Sequence, residues 1–227
     1  MMKKGYKVFL ITTFVLSLIM STFAINNLFA SIPYQIDSNL NEIMKNVEVM
    51  ASEHSDQAYS SNPYDYLQDN ANYQKIVALG PNALVTIKNQ IEKSTQNGLR
   101  EYILAIAAEE IAKVNLKGDT CNWSNSKEWL NQWKILLRNV PDEVEMITSS
   151  SQNIEAKNLQ LRKLGVVAIP YILDKVATGK AEYEPVVKEL LNLEKNSYEK
   201  INIAKWAQEN KEKYENLRTM VQEVDQI

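Results

Sequence analysis

An all-α chain of stacked helix hairpins is predicted here, and three observations predict it. Apolar residues recur at helical spacing along almost the whole length, while strand-like alternation is nearly absent. Only six glycines and six prolines punctuate 227 residues, and most fall where a helix would start or stop. The phrase LGPNALVTIKNQI, Leu79 to Ile91, is also written again 85 residues later as LGVVAIPYILDKV, Leu164 to Val176.

The elements follow in order. Residues 1–30 read as a secretory signal: Lys3, Lys4 and Lys7 precede an uncharged run from Val8 to Ile25. Cleavage after Ala30 is preferred over Ala24 because the polar SIPYQIDSN begins there. An uncleaved anchor is the alternative, and under it this segment is the chain's only membrane contact. Residues 31–71 supply a first helix, with Ile36, Leu40, Ile43, Val47 and Met50 on one side, then a polar loop. Asn62 and Pro63 suit the cap and first position of a short helix over NPYDYLQDN.

Residues 72–227 read as consecutive helix pairs. Gly80 ends the first helix and Pro81 opens the second, PNALVTIKNQIEKST. Gly98 precedes the strongly apolar LREYILAIAAEEIAKV. Asn125 and Glu128 have capping-box spacing ahead of EWLNQWKILLRNV, and Pro141 is expected to restart the chain into a shorter helix. The cycle resumes with QNIEAKNLQLRKLG, VVAIPYILDKVATG and EYEPVVKELLNL, and one long helix is expected to close the chain.

Matched at the offset, Ile76 meets Leu161, Leu79 meets Leu164 and Gly80 meets Gly165; Ala83, Leu84, Ile87 and Ile91 meet Ala168, Ile169, Ile172 and Val176. Each hairpin has an apolar face it cannot cover alone, and stacking a second copy covers it. The glycines permit the tight bends between helices. LGPNALVTI and LGVVAIPYI resemble the turn inside HEAT-like repeats, with Pro170 where such repeats often carry proline. The regular Asp and Arg ladder of such arrays is missing. The resemblance implies a right-handed α-solenoid of about four HEAT-like helix pairs after an N-terminal helical segment, in the manner of secreted bacterial proteins of this kind. It carries over no catalytic residue.

Composition narrows function. Removing Lys3, Lys4 and Lys7 leaves 22 basic against 28 acidic residues, a formal charge of −6 that opposes binding to nucleic acid. Cys121 is the single cysteine, so the core and not a disulfide must hold the exported part together. His54, the single histidine, sits near Asp56 in a polar connection. Metal-ligand spacing, a G-x-S-x-G turn and a glycine-rich phosphate loop are all missing, so no metal or cofactor is expected.

Helical geometry sets Glu110 beside the apolar face of its helix, where a carboxylate would be held by a cation, a tyrosine hydroxyl or orphan N–H groups; Glu109 is expected to point outward. Trp129 and Trp133 are expected in the core, and Trp123 is the indole expected to reach solvent. Binding is expected on exposed parts of the inner helices, then at Trp123 and Asp119 in the loop Lys117–Asn125 and at Tyr64 and Tyr66 in the segment Asp56–Tyr66. The favoured expectation is a secreted or envelope-associated, non-enzymatic scaffold for a protein or peptide. The alternatives are a cell-wall hydrolase using Glu110 and Asp119, or an inhibitor of another secreted protein.

Overall fold

The computed structural model describes residues 31–53, 60, 62–118, 122–193, 203–210 and 214–224. The signal segment, His54, Asp56, Asp119 and Cys121 lie outside the described residues. The fold is all-helical, and among the described residues there is no strand. No described helix is long and apolar enough to cross a membrane.

The helices are α1 (31–52), α2 (Ala71–Val77), α3 (Ala83–Lys93), α4 (Leu99–Ala112), α5 (Ser126–Ser149), α6 (Ile154–Lys163), α7 (Ile169–Ala177), α8 (Glu184–Leu190), α9 (Ile203–Asn210) and α10 (Glu215–Val224). Their starts follow from capping chemistry. The Asn62, Asn70, Asn125 and Asn153 side chains each accept backbone N–H groups that the following turn leaves orphaned. Gly98 has no side chain to cap α4, and Glu101 supplies the bond from inside, taking the Gly98 N–H at 3.0 Å. Glu128 behaves differently from a capping-box partner: it reaches past Asn125 and takes the Ser124 N–H at 2.8 Å.

Pro81 opens the segment as expected, in a 3-10 turn, Gly80–Asn82, that runs directly into α3. One expectation needs correction: Pro141 does not restart the chain, because α5 runs through it for 24 residues. Proline costs a helix an internal hydrogen bond. Here Leu137, Val140, Val144 and Ile147 are all buried on one side of α5, and shared burial keeps both halves on one axis. The expected closing helix is described as two, α9 packed on α7 and α10 packed on α3, α5 and α7.

The core centres on α4. Ile103, Leu104, Ala105, Ile106, Ala107 and Ala108 are consecutive and all buried, so this helix is covered nearly all round. It touches α2, α3 and α5. α1 joins the same core through Ile36, Leu40 and Ile43, and Arg100 of α4 pairs with Asp37 of α1 at 2.9 Å.

The repeated phrase has a matching local form. Gly80 and Gly165 both take positive φ, 66° and 72°, and each leads through a 3-10 turn into a helix. Five of the six matched apolar pairs are buried in both copies; in the sixth, Leu79 is half-buried where Leu164 is buried. Their surroundings differ. A Cβ on Gly80 would meet nothing within 4 Å, but one on Gly165 would lie 2.3 Å from the Ala112 carbonyl oxygen and 2.4 Å from Val114 Cγ1. The second bend is jammed against the end of α4, and the first is not.

That difference is measurable. Gly80→Ala should cost about 1 kcal/mol, the penalty of a left-handed alanine. Gly165→Ala adds a clash with backbone and should cost about 3 kcal/mol or more. Urea unfolding of the two variants gives the comparison; equal losses would place the Gly165 bend away from α4.

Candidate functional site

The last turn of α4 builds the site. Lys113 adopts a left-handed conformation at φ 56°, and the bonds from Lys113 N to the Glu110 carbonyl and from Val114 N to the Glu109 carbonyl close the helix. A non-glycine residue there costs free energy, and Lys113 offsets it with its side chain: Nζ donates to the Glu189 carbonyl at 2.7 Å and to Asn192 Oδ1 at 2.6 Å, tying the end of α8 to α4. The chain then turns back along the helix. Asn115 Oδ1 accepts the Lys117 N–H at 2.9 Å, and that turn aims the Lys117 side chain at the junction of α4 and α5.

Three aromatic rings meet that amine. Lys117 Nζ lies 4.0 Å from the centre of the Trp123 indole, 5.0 Å from that of Tyr102 and 5.5 Å from that of Tyr64. It also donates to the Tyr102 hydroxyl at 2.6 Å. Tyr102 and Trp123 touch at 4.6 Å between centroids. Beneath them Trp123 Nε1 donates to Glu109 at 2.7 Å. Burial pushes the Glu109 carboxyl up, and the indole N–H, the Leu116 N–H and the Lys117 charge pull against that. Burial and the Glu109 charge likewise raise Tyr64, partly opposed by Lys117. Beside the rings a surface hollow of about 360 Å³ is bounded by Pro63, Gly98, Leu99, Tyr102 and Asn125.

The expected binding residues divide. Trp123 and Tyr64 come together, although 62–66 and 122–125 are far apart in sequence. Trp123 does not reach solvent as expected; it is only 1 % exposed, because its hydrogen bond to Glu109 draws the indole inward. Tyr64 keeps 44 % of its surface at the rim. Tyr66 is buried and donates to the Ser60 carbonyl at 2.8 Å. Tyr102 has no signal in the linear sequence, because it lies in no motif; Lys117 begins a loop in which binding is expected, but only the fold brings its amine to Trp123.

The two carboxylates exchange the roles expected of them. Glu110, the expected buried group, is exposed, and Glu109 is half-buried. Glu110 nonetheless accepts the hydroxyl of buried Tyr73 at 2.5 Å. Burial first, then the bond to Glu110 and its charge, drive the Tyr73 phenol far above its ordinary range. Trp129 and Trp133 stack at 5.2 Å, fully buried, as expected of core residues. Among the described residues no group of three metal-ligating side chains converges. No family model, curated protein or solved structure matches this chain.

The Tyr73 shift has a signed consequence. An unfolded tyrosine loses its proton near its ordinary pKa of about 10, while folded Tyr73 keeps it. Above that pH the unfolded state binds fewer protons, so stability falls as pH rises, by up to about 1.4 kcal/mol per pH unit. Tyr73→Phe should lose about 1 kcal/mol at neutral pH and show a shallower decline between pH 10 and 11. Urea midpoints across that range test it, and an unchanged slope would refute it.

Proposed function

We propose that this chain is an exported, non-enzymatic peptide-binding module built from HEAT-like helix hairpins. The basic start and the uncharged run Val8 to Ile25 support export. The paired glycine bends, each followed by a 3-10 turn and a helix with the same buried positions, support the hairpin reading. In this reading α10 lies along the face made by α3, α5 and α7, so the module's own chain takes up the surface that an open array would offer a partner.

The observation that carries the proposal is the edge between α4 and α5. An exposed tyrosine, two further rings and a hollow of about 360 Å³ adjoin one another there. Aromatic side chains give large contact area at low entropic cost, and recognition surfaces favour them for that reason. A peptide side chain would sit against the rings while its backbone runs past Pro63 and Leu99.

Panning a displayed random-peptide library on the full chain in mild detergent tests this. Enriched sequences are expected, and Tyr64→Ala should weaken them about tenfold, the loss of one aromatic contact of about 1.4 kcal/mol. Peptides that bind Tyr64→Ala as well as the parent, or no enrichment at all, would contradict the proposal.

A further inference from the structure

On that reading, we propose that the recess formed by Tyr64, Tyr102 and Trp123 recognises an ammonium group, lysine or methylated lysine of a peptide, and that Lys117 is an internal stand-in which the ligand displaces.

The chemistry begins with the rings. An aromatic face carries partial negative charge, and a cation within about 6 Å of a ring centre is attracted to it. Here three rings fall within that distance of one nitrogen, at 4.0, 5.0 and 5.5 Å. One ring would be an ordinary surface contact. Three different elements, the turn before α2, the first turn of α4 and the loop before α5, converging on one point make a recess shaped for a cation.

The half-buried Glu109 carboxylate, at the N–H edge of the Trp123 indole, adds a field of the same sign. A neutral or anionic ligand gains nothing from that field. The Tyr102 hydroxyl, which accepts from Lys117 at 2.6 Å, would accept equally from the N–H of an incoming lysine.

Lys117 shows what the recess selects, because its ammonium already occupies the position a ligand would take. Its backbone lies in the irregular stretch after α4, and its side chain is half-buried, between the covered Trp123 and the exposed Tyr64. The rings are differently fixed. Trp123 is held by Glu109, whereas Tyr64 stands 44 % exposed at the entrance. The neighbouring hollow along Pro63, Gly98 and Leu99 gives the rest of a peptide somewhere to lie once its side chain enters.

Methylation acts in two opposing directions. A trimethylated ammonium loses hydration more cheaply than a primary one and keeps its attraction to the rings. Against it, the trimethyl group cannot donate to Tyr102. Comparison of the two forms therefore reports whether the rings or the hydroxyl dominate, and either order is compatible with a cation recess.

The test is calorimetric titration of the full chain, in mild detergent, with three short acetylated peptides. They carry lysine, trimethyl-lysine or norleucine at one position, the last matching the shape without the charge. Lys117→Ala should bind the two cationic peptides about tenfold more tightly than the parent chain, because no internal ammonium competes. Adding Tyr102→Leu to Lys117→Ala should cancel that gain, and norleucine should bind neither.

Several outcomes overturn the proposal. If Lys117→Ala binds no better than the parent, or binds norleucine as well as lysine, the recess does not select cations. If Lys117→Ala loses its helical circular dichroism, Lys117 is a structural pin and not a stand-in. Peptides selected by panning that bind Lys117→Ala and its Tyr102→Leu derivative equally would leave peptide binding in place and remove the cation recess. Failure of every peptide, panned or designed, on the parent and on Lys117→Ala would remove both.

Discussion

The burial of α4 is the constraint on which the rest of the structure depends. Six consecutive residues, Ile103 to Ala108, are inaccessible to solvent, which a helix can achieve only when neighbours cover every side. Four alanines at 105, 107, 108 and 112 let those neighbours come close. At the α6–α7 bend the approach leaves no room for a Cβ, with Gly165 set against the Ala112 carbonyl. A packed interior transmits such contacts because it has little room to yield. The two ends of α4 are consequently fixed in space. Glu101 stays ionised at the N-terminal end: burial works against the charge, but the Ser94 hydroxyl and the Gly98 N–H hold its carboxyl below the usual range.

At the other end, the same rigidity places two adjacent carboxylates in unlike roles. Glu109 points to Trp123 and Glu110 to Tyr73, so one residue step on the helix separates a half-buried anchor from an exposed one. Polar groups at the border of a core are held by specific partners, since an unpaired one would cost more than its bond returns. Lys113, one turn further, reaches α8. The exit of α4 is thus a junction that ties α2, the loop before α5 and α8 together through side chains, and the Trp123 wall of the Lys117 recess is held from it. A second junction of charges, Lys88 and Lys134 on Glu92 at 2.8 and 2.5 Å, joins α3 to α5 and draws that carboxyl below its usual range, Lys134's bond first and Lys88's next.

Much of the fold was legible because it rests on period and punctuation. The apolar positions of α3 and α7, and Ile36, Leu40 and Ile43 of α1, were readable from spacing alone, although Val47 and Met50 are only half-buried; the asparagine caps at 62 and 125 followed from local chemistry. The errors share a cause. Pro141 reads as a break by its own propensity, and only the buried face of α5 overrides it. Glu109 and Glu110 were exchanged because a helix covered on nearly every side has no single apolar stripe from which to measure. Trp123 reads as a loop residue bound for solvent until Glu109 is seen to hold its N–H. Of the site, Tyr64 and Trp123 were visible as aromatic residues in loops. Tyr102 was not, and Lys117 only as the first residue of a loop, since their meeting depends on the left-handed turn at Lys113, an unusual conformation for lysine that local sequence does not announce.

Native-state amide hydrogen exchange tests the central place of α4 most directly. If every other element leans on this helix, the amides of Ile103 to Ala108 exchange only through global unfolding, with the slowest rates in the chain and a denaturant dependence equal to that of complete unfolding. Exchange of those amides through a smaller opening, while α5 or α7 stays protected, would contradict the account and move the keystone elsewhere.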